Sequence, residues 1–205
     1  MMRRTSFLAA VVIGMIAPPA FAQAPPAGTP TPIRGTVEKL VGHSLTVKAR
    51  DGSTLTVALA PAFAVRAVVP KTLADIKPGD VVASTSIKGA DGTLRALELH
   101  ILPESLGRIR LGQSPWDLVP DSLMTNAKVA QITTAPQGNV LKVTYDGKES
   151  EIIVPPGIPI VSYVIADVSL LRPGAAVFVF ARKQSDGSLT SSVVYAEKNG
   201  VKPPM

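Results

Sequence analysis

The phrase "DIKPGDVVAST", Asp75 to Thr85, returns as "LLRPGAAVFVF", Leu170 to Phe180, and the return is part of a longer match. Asp51-Gly52, Pro78-Gly79 and Asp91-Gly92 reappear as Asp146-Gly147, Pro173-Gly174 and Asp186-Gly187, each 95 positions later. Three turn-forming dipeptides in matched order at one spacing mark a tandem duplication, so whatever fold one copy specifies must occur twice.

Each copy reads as strands. "SLTVKAR" alternates Leu45, Val47 and Ala49 with Thr46, Lys48 and Arg50, and "TLTVAL" resumes the alternation after the Asp51-Gly52 turn. Period-two patterning around such a dipeptide predicts a hairpin. "IRGTVEKLV" precedes it as a first strand, turning at Gly42-His43. "PAFAVRAVVPKTLADIKPG" carries three prolines and no sustained period, so it is expected to wrap over a barrel end, with at most a helical turn at Thr72 to Ile76. Asp80 to Lys88 and Thr93 to Leu102 complete the copy. Three strands, a crossing and a hairpin give the order of a five-stranded barrel of OB type, an order some other small barrels share. One-residue slips near Val140 and Val193 have the size of a β-bulge. The expected fold is all-β: two tandem OB-like five-stranded barrels joined by an irregular connector.

The domain reading follows. Residues 1–22 have the order of a signal peptide: Arg3 and Arg4, an apolar run from Phe7 to Ile16, and the small-residue exit Ala20-Phe21-Ala22. Cleavage is expected after Ala22, by general secretion or the twin-arginine route, which places the mature chain in the periplasm. The apolar run is shorter than the roughly 20 residues that span a bilayer, and no other segment is long enough. Residues 23–32 are expected to be a disordered Pro-rich lead, 33–102 the first barrel, 103–126 the connector, 127–198 the second barrel and 199–205 a flexible tail.

Cysteine is absent, which excludes disulfides, thiolate metal sites, a cysteine nucleophile and a lipidated cysteine. The chain has 21 basic and 15 acidic residues; without Arg3 and Arg4 the balance is 19 to 15, a net charge of +4. That mild excess is spread along the chain and does not form a nucleic-acid stripe.

"LADIKPGDVVASTSIKGADGTLRALELHI" resembles the closing half of a family of bacterial periplasmic modules of unknown function built on OB-like barrels. Gly79-Asp80 and Asp91-Gly92 carry the likeness; the second copy keeps Gly174 but has Ala175 in place of the acid. "SPWDLVPDSLMTNAKV" is similar to the connector of tandem exported bacterial proteins, some of which carry a metal-transporter permease name. The resemblance implies the fold and brings no catalytic residue. A permease needs several apolar spans, and this chain has only the one in its leader.

Candidate sites are few. His43 lies in a hairpin turn and His100 on the polar face of a strand with Glu98; they are read as two unrelated surface histidines, and no metal site or cofactor is expected. "GQSPW" around Ser114 begins like a nucleophile elbow but has Trp116 where the second glycine should stand. Asp75 and Asp80 flank a glycine turn as capping residues. Stacking on nucleic acid needs exposed aromatics, and the first copy offers only Phe63. Trp116, the sole tryptophan, is read as plugging a seam between modules, with an exposed partner anchor as the alternative. In "AAVFVFA", Phe178 and Phe180 are expected to point into the second barrel and Val177 and Val179 outwards. Trp116, Asp117, Val177 and Val179 are therefore the expected inter-module or partner contacts.

The expected function is a non-catalytic periplasmic binding or scaffold protein acting through a protein or envelope partner. The alternative is a soluble accessory factor that binds a metal ion or small ligand for a transporter. A hydrolase with dispersed residues ranks third.

Overall fold

Each hairpin that the Asp-Gly dipeptides predict is present in the computed structural model, which describes residues 28–136 and 138–204. The expected signal peptide lies outside the described residues. The chain is all-β. Its strands are β1 (Thr29–Val41), β2 (Ser44–Ala49), β3 (Thr54–Pro70), β4 (Val81–Lys88), β5 (Leu94–Leu102), β6 (Gly112–Pro115), β7 (Ser122–Ala135), β8 (Gly138–Tyr145), β9 (Lys148–Val154), β10 (Ile160–Ala166), β11 (Ala176–Lys183) and β12 (Leu189–Ala196). Single 3-10 turns lie at Leu73–Asp75, Glu104–Leu106 and Val168–Leu170.

The matched dipeptides make different turns. Asp146 and Gly147 both have positive φ, 49° and 70°, and join Tyr145 to its strand partner Lys148 as a two-residue turn. At Asp51 the loop is longer, and Oδ1 of the aspartate accepts from both the backbone N–H and the hydroxyl of Ser53. Asp91 with Thr93 and Asp186 with Ser188 repeat that second arrangement.

The hairpins pair within their own copies, but the copies do not close into separate barrels at 33–102 and 127–198. β1, β2 and β3 of the first copy close a five-stranded barrel with β12 and β11 of the second, through β1–β2, β2–β3, β3–β12, β12–β11 and β11–β1. In the complementary arrangement β7, β8 and β9 form a second ring with β4 and β5, whose last step, β5–β9, is two residue pairs long. The exchange happens at the repeated Pro-Gly turns. Gly79 N–H donates to Val129 of β7, and Gly174 N–H donates to Val37 of β1, each over 2.8 Å. Each closing hairpin is thereby started on the opposite copy.

Two apolar cores follow these rings. One joins Leu45, Val47 and Val57 to Val177, Val179 and Val194; the other joins Val82, Leu94 and Leu99 to Leu141, Val143 and Ile152. Val177 and Val179 thus point into the first barrel, and Phe178 and Phe180 point out of it, the reverse of the expected facing.

β3 also corrects the reading of the crossing segment, since it runs through Pro61 to Pro70. Pairing with β2 ends at Ala58, and the register with β12 slips between Leu59 and Ala64. Pro61 therefore sits in a gap in the ladders, where its missing N–H costs nothing. The second copy breaks at the same place, at Pro155-Pro156-Gly157, and resumes as β10. β10 pairs antiparallel with the far half of β3, with Tyr163 opposite Val68, its equivalent in the repeat. A residue paired with its own equivalent marks a local two-fold relation between the copies.

The described part of the lead, from Gly28, and of the tail, to residue 204, is more ordered than expected. β1 starts at Thr29, and Asn199-Gly200 turn the tail back so that Val201 packs at the seam between the rings.

Candidate functional site

β5 sets Glu98 and His100 on one face and Leu99 on the other, because successive side chains alternate. Leu99 enters the second core, so Glu98 and His100 point out of their ring. In an isolated barrel that face would meet water. Here the exchanged strands bring the other ring against it, and both side chains are 1% exposed. The expected surface position of His100 is corrected by this packing.

Around them lies a polar cluster inside an otherwise aromatic seam. Thr85 on β4 donates to Glu98 Oε1 over 2.5 Å. His100 Nδ1 is hydrogen-bonded to the Tyr163 hydroxyl on β10, and its Nε2 stands 3.4 Å from Glu98 Oε1. Burial pushes the Glu98 carboxyl up, but the adjacent imidazole, Thr85 and the charge of Arg34 outweigh it and hold the group below its ordinary value. Tyr163 is pushed well above the usual phenol range, chiefly by burial and further by Tyr195 and Glu98. It stays a phenol, hydrogen-bonded to the imidazole.

Arg34 of β1 reaches the seam from the first barrel. Its guanidinium donates twice to Asp117, over 3.0 and 2.8 Å, and lies 5.6 Å from the Trp116 ring centre and 5.3 Å from that of Phe178. Asp117 is held below the usual carboxylate range mainly by those hydrogen bonds. Trp116 packs on Phe178 and Phe180, and Phe180 and Tyr163 both meet Tyr195. Four polar atoms of this region, Arg34 Nε, Glu98 Oε2, His100 Nε2 and Trp116 Nε1, are buried with no hydrogen-bond partner.

Trp116 and Asp117 lie at the seam, and Val177 and Val179 lie elsewhere, inside the first barrel. Sequence reasoning missed Arg34, Glu98 with His100 as a buried pair, and Tyr163. The signal that could have found them is their equivalents in the repeat: Val193, Tyr195 and Val68 stand where Glu98, His100 and Tyr163 stand in the other copy.

His43 sits on the edge of Phe63, with ring centres 5.8 Å apart, and shares no partner with His100. Among the described residues no three His, Asp or Glu side chains group as a metal site. Asp75 accepts from Thr72, and Asp80 from the Lys77 N–H, as caps of their turns. Ser114 lies in β6, paired with Met124, away from any strand-to-helix turn. No described helix is long and apolar enough to cross a membrane.

Among the grooves that open on the described surface are two of similar size. One of about 510 Å3 is lined by Gly42, Phe63, Val65, Ile165 and Val168, with Arg66 and Asp167 at its polar margin. The other, about 520 Å3, has Ile101, Leu102 and Ile109 inside and Lys71, Lys77 and Glu104 around it. No family model matches the chain, and neither curated proteins nor solved structures include a match.

Proposed function

We propose that this chain is an exported, non-catalytic binding or scaffold protein that acts through a protein partner, in keeping with its resemblance to tandem periplasmic modules. One observation carries the reading. The groove beside the β1–β2 turn is apolar, and Ile165 and Val168 at its wall are 77% and 45% exposed, with Val41 at 66% next to it. Large aliphatic side chains grouped at an open groove are a surface that gains from being covered. The one carboxylate–imidazole–phenol chain is closed to solvent, so it offers a substrate no approach.

A photo-crosslinking residue at Ile165, introduced in cells, should capture a discrete partner, and the same residue at Lys142 on the second ring should not. Equal labelling at both sites, or none at either, would remove the groove from the proposal. Export is tested apart from it: the mature protein should begin at Gln23. The charged rim of the second groove favours the alternative, a small-ligand accessory factor, and saturable heat on titration with small anions, lost in Lys77→Ala, would replace the scaffold reading.

A further inference from the structure

The loop 116–121 between β6 and β7 is folded on itself. Trp116 N–H donates to the Ser122 carbonyl, and the Ser122 hydroxyl bonds back to the carbonyls of Trp116 and Val119. What fastens this loop to the first barrel is the Trp116 ring on Phe178 and Phe180 and the two-pronged pair of Asp117 with Arg34. Arg34 is covered, its side chain 10% exposed, while Asp117 is 53% exposed, so the pair is buried on one side and open to protons on the other. On its buried side Arg34 also lies in the field of Glu98. The guanidinium thus pairs directly with Asp117 of the loop and acts on Glu98 of the opposite ring only through its charge.

We infer that loop 116–121 is an acid-released strap over the aromatic seam, with the Arg34–Asp117 pair as its clasp. Arg34 meets Asp117 from the strap and the Phe178 ring from β11 and lies in the field of Glu98 from β5; the other titratable and charged groups of the seam are His100 from β5, beside Glu98, Tyr163 from β10, and Tyr195 from β12, which lies in the field of Arg66. Both carboxyls are held below their ordinary values in the folded chain. The stabilisation they give is therefore complete above the ordinary carboxylate range and is lost as pH falls through the lowered folded values. Protonation of Asp117 removes the charge that Arg34 pairs with, and the strap keeps only the contacts of Trp116. Its release uncovers Phe178, which is fully buried, and the rings of Phe180 and Tyr195 beside it. The exchanged strands hold the two rings together throughout, so the event is local.

The repeat supplies an internal comparison. Val193, Tyr195 and Val68 at the equivalent positions show that the same backbone accepts seam side chains without a carboxylate or imidazole.

Trp116 is the sole tryptophan and reports directly. On titration of the full mature chain from pH 7 downwards, its emission should move red and become quenchable by acrylamide below the ordinary carboxylate range, while the far-UV circular dichroism stays unchanged. Asp117→Asn, an exposed and mild substitution, should give the red, quenchable emission already at pH 7 and lose the acid step. Glu98→Gln should retain the clasp at pH 7 and shift or flatten the acid step. A wild-type emission that changes only together with the circular dichroism overturns the strap. So does an Asp117→Asn protein indistinguishable from wild type at pH 7 and in acid. These readouts do not involve the groove at Ile165, so they stand or fall apart from the proposed partner.

Discussion

At Gly174 the backbone φ is 85°, and an added Cβ would meet nothing within 4 Å, so the position asks for glycine on conformational grounds alone. Gly174→Val should cost about 1–2 kcal/mol, the penalty for a Cβ in the left-handed region. Gly35 is the opposite case. Its Cβ would stand 2.1 Å from the Lys48 carbonyl oxygen, so Gly35→Ala must force β1 away from β2 and should lower the melting temperature at least as much. Unchanged thermal melting in both variants would show that neither constraint operates. "AAVFVFA" marks the limit of what single residues disclose. Alternation separates Val177 and Val179 from Phe178 and Phe180, but both sets are apolar, and period two does not say which one turns inwards. The narrow interior of a five-stranded barrel takes valine and alanine, and the phenyl rings go to the seam. Val179→Asp should therefore place an unpaired carboxylate in a core and cost about 3–5 kcal/mol in urea unfolding. Phe180→Ser, at a position 41% exposed, should cost about 1 kcal/mol. The reverse ranking would restore the opposite facing.

Among the elements, β1 shows why a proline-rich lead can still be a strand. Val37 exchanges hydrogen bonds with the Gly174-Ala175 segment that leads into β11, so by alternation Thr29, Thr31 and Ile33 face β11 while Pro30 and Pro32 face the other edge. β2 reaches only as far as Gly35, and no described strand pairs with that edge at Pro30 and Pro32. Two prolines without N–H groups are placed where an open edge would otherwise recruit another chain. At the equivalent edge of β7 the connector supplies β6 as a cover. Replacing Pro30 and Pro32 together by threonine should restore two free donors and promote self-association. Light scattering on concentrated protein checks this, and a double variant that stays as dispersed as wild type counts against the edge argument. The strands and their turns were legible because alternation and turn dipeptides are local signals. Pro30, Pro32 and Pro61 misled because the cost of a proline depends on whether its N–H side has a neighbour, which only the pairing reveals.

In the whole molecule, the pairing is what the duplication hides. Two copies with the same turns at the same spacing offer each closing hairpin two equivalent sets of partners, its own three strands or those of the other copy, and local sequence cannot tell these apart. The exchange has thermodynamic consequences that sequential barrels would lack. β1, β2 and β3 without β11 and β12 leave the core of Leu45, Val47 and Val57 open on one side, and β4 with β5 has no core of its own. Residues 28–106 produced alone should not form a folded monomer; they should be unfolded, or should pair with a second copy of themselves by the same exchange. Mixing them with residues 107–204 should restore a one-to-one complex with the circular dichroism of the intact chain. A protease cut at the exposed Arg108 should likewise leave the two halves co-eluting in size-exclusion chromatography until denaturant is added. Were residues 28–106 to elute as a monomer with a cooperative melt of their own, the exchange would be wrong, and the seam holding Glu98, His100 and Trp116 would revert to an ordinary contact between independent barrels.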